Sequence, residues 1–155
     1  MEYGDGGCGR GRLPTEAEWI WAAMGADTAL PGEINTTGYS KAFAGSTGSN
    51  NVDDYAWYHF NAGAKIHEGG KKLPNELGLY DMSGNLYEWT YDWYALSYPS
   101  GPLTNPTGNV WHSWRVRRGG DFFNAASEGS VANRIAGSPY DPGGGFRVCL
   151  SLTQG

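Results

Sequence analysis

The sequence is poor in charged residues and has no long apolar run, and both shortages exclude classes of protein. Charged residues make up 17% of the 155 residues and the formal net charge is -5, which argues against nucleic acid as a partner, since phosphate binding needs an excess of basic side chains. No apolar run approaches the roughly 18 residues of a membrane-spanning helix, so no membrane insertion is expected. The N-terminal MEYGDGGCGRG also lacks the apolar segment of a signal peptide.

Cysteine is equally scarce. Cys8 and Cys149 are the two cysteines of the chain, too few for a disulfide framework, and their spacing matches no zinc motif. A single disulfide between Cys8 and Cys149, joining the start of the chain to its end, remains one alternative. His59 and His67 are isolated histidines in loop sequence with no evident third ligand, which argues against a zinc or iron site.

Glycine and aromatic residues are abundant instead. The chain has 25 glycines, and 14% of its residues are aromatic. This composition gives ample apolar surface to bury, so it predicts an ordered single domain over residues 1–155, rich in loops and poor in long helices. The abrupt, glycine-rich start suggests a fragment of a longer protein. Localisation stays open, with a cell surface or a phage particle as alternatives for such a fragment.

The segment RLPTEAEWIWAAMGA carries the clearest helix signal. Thr15 is a typical N-cap, and Glu18 three residues later completes a capping box. Trp19 begins a run of apolar residues at helical spacing, and Gly25 can end the helix. We therefore predict a helix over residues 15–24 that packs into the core and carries no catalytic residue.

The stretch from Pro74 to Tyr94 surrounds a short polar turn, residues 81–85, with six aromatic side chains. A glycine-containing turn in such surroundings must satisfy its backbone groups through side chains or through a bound cation. Asp81 and Glu88 are the acids that flank it. A second oxygen-rich cluster, residues 50–54, is explained equally by Asx turns and by a second cation site.

Two later runs have strand character. WHSWRVRRGG alternates, which places Trp114 and Val116 on one face and Arg115 and Arg117 on the other. We interpret its arginines as structural. GFRVCLSL, near the end of the chain, predicts a buried C-terminal strand.

Four blocks in fixed order, RLPTEAEW, GLYDMSGNLYEWTYDWY, RVRRGG and GFRV, span Arg12 to Val148. Together they resemble the formylglycine-generating-enzyme/sulfatase-modifying-factor domain family. The resemblance implies an α+β, C-type-lectin-like fold that is rich in loops and has two helices and a small twisted sheet around a tryptophan-rich core. The strand and helix that precede the first block in this family are expected to be missing from this chain.

Oxidases of this family convert a sulfatase cysteine to formylglycine with two cysteines that bind copper. The family spacing places those cysteines at Asn124 and Gly129, which cannot supply the thiolates that Cu(I) selects. We therefore expect no copper, no catalytic residues and no enzymatic activity. A structural disulfide of the family implies a Cys8–Cys149 bridge, but both positions are offset, Cys149 by one residue, so the bridge stays open.

The resemblance also implies a structural calcium site in the second block. By position, its ligands would be the Asp81 side chain, the carbonyls of Gly84 and Leu86, and the Glu88 carboxylate. Ca²⁺ prefers such a mixture of carboxylate and carbonyl oxygens. Gly84 would permit the tight turn that brings the carbonyls together.

One branch of the family, the variable proteins of diversity-generating retroelements, places a hypervariable segment between the RV strand and the GFR strand. Residues 119–147 of this chain resemble that segment, with Val131, Arg134 and Arg147 among its fixed positions. Between the fixed positions lie residues that differ from the usual pattern of this segment. These residues are the predicted ligand-binding set: Asp121, Phe123, Ala125, Glu128, Ser130, Asn133, Ile135, Ala136, Gly137, Ser138, Tyr140 and Asp141.

The hypothesis from sequence is therefore a non-catalytic ligand-binding or display domain. Its ligand would be a protein or a cell-surface molecule, bound through residues 121–141. Four further aromatic residues are expected to join this face: Trp57, Tyr58, Trp111 and Trp114. The alternatives are a diverged family loop with another binding role, and a formylglycine-generating-type oxidase or related metal-dependent oxidoreductase acting on a protein cysteine. The oligomeric state stays open.

Overall fold

The fold is known from a computed structural model, which describes residues 11–27, 29–30, 32–98 and 113–150. Cys8 and Trp111 lie outside the described residues. The regular elements within these ranges are β1 (Gly11–Arg12), α1 (Glu16–Met24), β2 (Glu88–Trp93), β3 (Arg115–Arg118), β4 (Arg134–Gly137) and β5 (Cys149–Leu150). Three short 3₁₀ turns accompany them, at Gly38–Ser40, Val52–Asp54 and Ala126–Gly129. Turns and loops account for most of the other described residues, which confirms the expected α+β, loop-rich architecture.

Helix α1 begins and ends as its sequence predicts. The Thr15 hydroxyl accepts a hydrogen bond from the Glu18 N–H at 3.2 Å, and the Glu18 carboxylate accepts one from the Thr15 N–H at 2.8 Å. This reciprocal capping box satisfies two backbone donors at the helix start. The helix stops at Gly25, whose φ of 74° suits a residue without a Cβ. None of the described helices is long and apolar enough to span a membrane.

The main sheet has the order β2-β3-β4, with both pairs antiparallel. Strand β3 is its centre, and its side chains alternate between a buried and a half-buried face. Val116 and Arg118 are fully buried, whereas Arg115 and Arg117 are half-buried on the opposite face. The predicted alternation is therefore confirmed. Trp114 precedes the strand and is exposed.

The prediction of a buried C-terminal strand was wrong. Strand β5 contains two residues and pairs only with β1 in the described structure. Phe146, Val148 and Leu150 are all more than half exposed. The reason lies in Arg147, whose side chain turns inward to pair with Glu88. Because neighbouring side chains of an extended chain point to opposite faces, the apolar residues on both sides of Arg147 point outward.

The core lies between α1 and the loops that follow it. Its buried cluster contains Trp19, Ala23, Ala44, Met82 and Val131. These five residues come from the helix, from two loops and from the predicted variable segment. The segment is therefore packed into the core at Val131, which is 0% exposed, rather than lying over it.

A buried ion cluster joins the start of α1 to the sheet. The Glu16 carboxylate receives Arg118 Nη2 at 2.5 Å, and Arg134 binds it through Nε at 2.8 Å and Nη2 at 2.9 Å. The Tyr98 hydroxyl also donates to Glu16, at 3.0 Å. Arg118 is 0% exposed and donates in addition to the carbonyls of two residues of the variable segment, Val131 and Asn133. The structural interpretation of this arginine is confirmed.

We expect Glu16→Ala to cost about 3–5 kcal/mol in free energy of unfolding, because it leaves two guanidinium groups in the interior without their carboxylate. Urea denaturation measures this cost. The matched control is Glu68→Ala, which removes an exposed ion pair with Lys71 and should change stability by less than about 1 kcal/mol. Equal effects of the two substitutions would contradict the assignment.

Asp92 provides a prediction about pH. It is 3% exposed in β2, and its Oδ2 accepts the Glu16 N–H at 2.6 Å. Burial, opposed by that hydrogen bond and reinforced by the Glu16 charge, raises the pKa of Asp92 to about 6. Because this lies above the ordinary value of about 3.9, protonation stabilises the fold below about pH 4, and that contribution is lost as the pH rises through 6.

Asp92→Asn imitates the protonated carboxyl group and retains an oxygen that can accept the Glu16 N–H. Relative to the parent chain, we therefore expect the variant to gain about 2–3 kcal/mol in free energy of unfolding between pH 4 and pH 7. Urea titrations of both chains at both pH values measure this gain. A stability difference that does not change with pH would exclude the raised pKa.

Candidate functional site

The predicted binding segment, residues 121–141, starts directly after the two glycines that follow β3 and runs past β4. Phe123 and Tyr140 are 60% and 93% exposed, and Ala125 is also exposed. The half-buried members of the predicted set are Asp121, Glu128, Ser130, Asn133, Ile135, Ala136, Ser138 and Asp141. The segment therefore presents two large aromatic side chains on a backbone that is otherwise partly buried.

Gly137 differs from the expectation of an exchangeable surface position. It is buried at the end of β4, and a Cβ built there would lie 2.2 Å from Arg117 Nε and 2.7 Å from the Trp89 ring. A larger residue would have to displace one of these side chains. The absence of a side chain at this position is therefore a requirement of packing, which a pattern of departures along the sequence could not reveal.

The exposed Phe123 lies in an Asx turn that begins at Asp121. Asp121 Oδ1 accepts the N–H groups of Phe123 and Asn124 at 2.9 and 3.1 Å, and Asn124 Oδ1 accepts the Asp121 N–H at 3.0 Å. The Asn124 carbonyl in turn accepts the His59 N–H at 3.0 Å, which attaches a second loop to the segment. Phe60 follows His59 and is 83% exposed, so it joins the candidate surface. Sequence reasoning missed it because a loop has no periodic pattern that marks an outward-facing residue.

The other aromatic residues expected at this face have mixed roles. Trp57 stacks on His67 with ring centroids 3.7 Å apart, and the Lys72 ammonium lies 3.9 Å from the Trp57 ring. Tyr58 is half-buried and donates its hydroxyl hydrogen to Asp53 at 2.7 Å. The Trp57 carbonyl also accepts the Asn85 N–H at 2.7 Å, so both the ring and the backbone of Trp57 are held by contacts within the scaffold. Trp114 is exposed beside β3.

The fixed positions of the segment anchor it to the scaffold. Arg134 binds Glu16 as described above. Arg147 forms a two-pronged ion pair with Glu88, with Nε and Nη2 each 2.5 Å from a carboxylate oxygen. Together with buried Val131, these contacts hold the segment at widely spaced points of the chain.

A concavity of about 420 Å³ lies between the two ends of the segment. Its lining includes Tyr87, Arg117, Asp121, Phe122 and Asp141. Arg117 Nη1 and Asp141 Oδ2 form an ion pair across it at 3.0 Å. Burial raises the pKa of Tyr87 to about 12, the charges of Glu128 and Asp121 raise it further, and Arg117 opposes them. The phenol therefore stays protonated at neutral pH, in a surrounding of net negative charge.

The predicted calcium ligands fit a cation unequally. Asp81 Oδ2 accepts the Gly70 N–H at 2.7 Å, while its Oδ1 is buried with no hydrogen-bond partner among the described residues. This oxygen can accept a cation or a water molecule. Glu88, in contrast, is already engaged by Arg147 and by Trp19 Nε1 at 2.6 Å. Gly84 must be glycine, since a Cβ would lie 2.2 Å from the Trp57 carbonyl oxygen.

No group of three or more His, Cys, Asp or Glu side chains suited to a metal ion occurs in the described ranges. The calcium site therefore stays a prediction, in which Asp81 Oδ1 is the predicted ligand atom that has no other partner among the described residues. In the oxygen-rich cluster of residues 50–54, Asn51 caps the following 3₁₀ turn through the Asp53 N–H, and Asn50 accepts the Thr47 N–H at 2.9 Å. Local hydrogen bonds thus account for these two side chains.

The thiol chemistry of an oxidase finds little support in the described part of the chain. Cys149 makes no disulfide with any described residue and is half-buried. Burial, reinforced by Glu18 and opposed by Arg12 and Arg147, raises the pKa of Cys149, which disfavours the nucleophilic thiolate. Asn124 and Gly129 are the positions implied for copper-binding cysteines. Asn124 belongs to the Asx turn instead, and Gly129 is the buried last residue of a 3₁₀ turn.

Comparison with known families now identifies the domain. Residues 6–152 match the model of the sulfatase-modifying factor enzyme 1-like domain. The chain belongs to this family. The resemblance inferred from the four sequence blocks is thereby confirmed, and the structure has the loop-rich fold expected of a sulfatase-modifying-factor domain.

The chain is similar in sequence to proteins with different names, a chaperone protein and a formylglycine-generating enzyme among them. The chain is 33% identical over 159 residues to the "Chaperone protein LppX" of Paenibacillus barcinonensis, covering 90% of this chain and 49% of that protein. It is 32% identical over 156 residues to the formylglycine-generating enzyme of Streptomyces coelicolor, covering 93% of this chain and 48% of that protein. The chain thus spans about half the length of these two relatives.

Solved structures of the same fold include Treponema denticola variable protein 1 and PvdO from Pseudomonas aeruginosa. The first superposes with a TM-score of 0.71 and 38% identity, covering 84% of this chain and 43% of that one. The second has a TM-score of 0.71 and 25% identity, covering 93% of this chain and 54% of that one. The fold is therefore shared with a variable protein and with PvdO.

The calcium site leads to a prediction about thermal stability. Calcium at about 100 times its dissociation constant would add about 2.7 kcal/mol, or roughly 5–10 °C in melting temperature. We expect EDTA to remove this increment and excess calcium to restore it. Asp81→Asn should abolish the dependence, because it removes the charge next to the unpartnered oxygen. Identical melting curves of the parent chain in calcium and in EDTA would exclude the site.

Proposed function

We propose that this chain is a non-catalytic ligand-binding and display domain that resembles a variable protein of a diversity-generating retroelement. The observation that carries the proposal is that three fixed positions, Val131, Arg134 and Arg147, anchor residues 119–147, whereas two aromatic residues that differ from the usual pattern, Phe123 and Tyr140, are exposed. Val131 is 0% exposed and Arg134 is held in the buried ion cluster, whereas Phe123 and Tyr140 are 60% and 93% exposed. Side chains at these two positions can be exchanged without disturbing the packing beneath them.

The exposed residues are suited to a protein or cell-surface ligand. Aromatic side chains provide large contact areas at a small cost in conformational entropy, and they are enriched among residues that dominate protein interfaces. Phe123 packs on Phe122 with ring centroids 4.4 Å apart, so its position is partly fixed before a ligand binds. Phe60, attached through the His59–Asn124 hydrogen bond, would widen the same face.

The similarity to Treponema denticola variable protein 1 supports this proposal, because that structure shares both the fold and 38% of the aligned residues. The similarity to formylglycine-generating enzymes keeps an oxidase as the competing function. Against it, Asn124 and Gly129 cannot hold copper as thiolates, and the pKa of Cys149 is raised. Incubation with Cu(I) and a cysteine-containing sulfatase peptide should therefore produce no formylglycine.

The test of the display function is a double variant, Phe123→Ser with Tyr140→Ser. Substitutions at exposed positions usually change stability by no more than about 0.5 kcal/mol each, so the variant should fold like the parent chain. We expect partners that the immobilised parent chain captures from bacterial cell-surface proteins to be lost from the variant. Quantitative mass spectrometry of the captured proteins measures the loss.

The matched control is Leu96→Ser, because Leu96 is 94% exposed and lies outside the segment. It should retain the partners that the double variant loses. The display function fails if the double variant and the control capture the same proteins. A genomic observation tests the retroelement relationship separately: a neighbouring reverse transcriptase gene and an imperfect template copy of the region that encodes residues 119–147.

A further inference from the structure

We propose that the concavity between the two ends of the segment receives a cationic side chain, an arginine or a lysine of the protein partner. This inference rests on the proposed function, which it deepens by specifying the chemistry of the ligand. The pocket has a volume of about 420 Å³ and is lined in part by Tyr87, Phe122, Asp121 and Asp141. Aromatic rings beside carboxylates are the combination that recognises a guanidinium or ammonium group in proteins.

Tyr87 is the residue that points to a ligand. The residue is 8% exposed overall; its hydroxyl makes no hydrogen bond to any described residue and is not one of the buried unpartnered polar atoms, so the oxygen is the part of the side chain that remains accessible. Its ring belongs to the pocket lining and lies 5.8 Å from the Arg117 guanidinium carbon. A phenol oxygen in this position can accept a hydrogen bond from a ligand that enters the pocket.

Asp121 supplies a second acceptor. Its Oδ1 is occupied by the two N–H groups of the Asx turn, at 2.9 and 3.1 Å. Its Oδ2 makes no hydrogen bond within the described part of the chain. The carboxylate is thus positioned by its own backbone, and one oxygen remains for a ligand. Because the turn fixes the side chain in advance, binding would cost little conformational entropy.

The balance of charge favours a cation over an anion. Asp141 is already paired, with Oδ2 on Arg117 at 3.0 Å and Oδ1 on the Gly143 N–H at 2.9 Å. An anionic ligand would have to displace Asp141 from Arg117 and would face Asp121. A cation meets the uncompensated charge of Asp121 instead, and the whole chain, at a net charge of -5, attracts it from a distance.

The test is a titration of the isotopically labelled 155-residue chain, followed by ¹H–¹⁵N NMR. The probes are N-acetyl-arginine amide and N-acetyl-citrulline amide, which has nearly the same shape but no charge. We expect saturable shifts at Tyr87, Asp121 and Phe122 with the arginine probe, and binding about tenfold weaker with citrulline, as for the loss of one charge-assisted hydrogen bond.

Asp121→Asn is the decisive variant, because its amide oxygen can still accept the two N–H groups of the turn while the charge is lost. We expect it to weaken the arginine probe about five- to tenfold. Asp27→Asn is the matched control: Asp27 forms the same kind of turn, accepting the Ala29 N–H at 2.9 Å, and lies outside the pocket lining. It should leave probe binding unchanged. Tyr87→Phe, which retains the ring, should weaken binding as well and provides a second variant if Asp121→Asn fails to fold.

The pocket proposal is overturned by equal affinity for the two probes, by shifts confined to other residues, or by an Asp121→Asn chain that folds and binds arginine as the parent does. These outcomes are distinct from failure of the display function. If the arginine probe does not bind but the Phe123/Tyr140 double variant still loses its partners, only the pocket proposal is rejected. If the probe binds as expected but that variant keeps its partners, only the display function falls.

Discussion

The buried carboxylate of Glu16 is the contact on which the arrangement of this domain depends. It pairs with two arginines, Arg118 and Arg134, whose guanidinium groups would otherwise be charges without a carboxylate partner in the interior. Through them the first turn of the single described α-helix is joined to two neighbouring strands of the sheet. A small sheet and a short helix bury little apolar surface, so a network of charge-assisted hydrogen bonds can fix their mutual position more specifically than apolar packing, even with the buried Arg118 Nε unpartnered among the described residues.

A second, partly buried ion pair anchors the segment near its C-terminal end. Glu88 holds Arg147 with two hydrogen bonds and accepts a third from the Trp19 indole at 2.6 Å. Trp19 belongs to the helix that begins at Glu16, so both clusters meet in the same element. Because Arg134 and Arg147 belong to the predicted variable segment, its backbone course is set by charges of the scaffold and not by its own exposed residues.

This organisation explains how one family fold can carry different functions. The contacts that position the segment use Val131, Arg134 and Arg147, whereas Phe123 and Tyr140 are exposed. At the corresponding location an oxidase of the family would need two thiolates, and this chain has a turn-forming asparagine and a buried glycine there. The function of such a domain depends on which side chains residues 119–147 carry, because the fold by itself does not specify a function.

The sequence by itself determined the features that depend on near neighbours. The capping box of Thr15 and Glu18, the alternation along β3 and the order of the four family blocks could all be read from adjacent residues, and they sufficed to identify the family and its loop-rich fold. The course of the last strand, the burial of Gly137 and the exposure of Phe60 could not be read in this way. Only the tertiary structure decided these, because they follow from contacts between distant residues, such as Glu16 with Arg134, 118 positions away, and Glu88 with Arg147, 59 positions away.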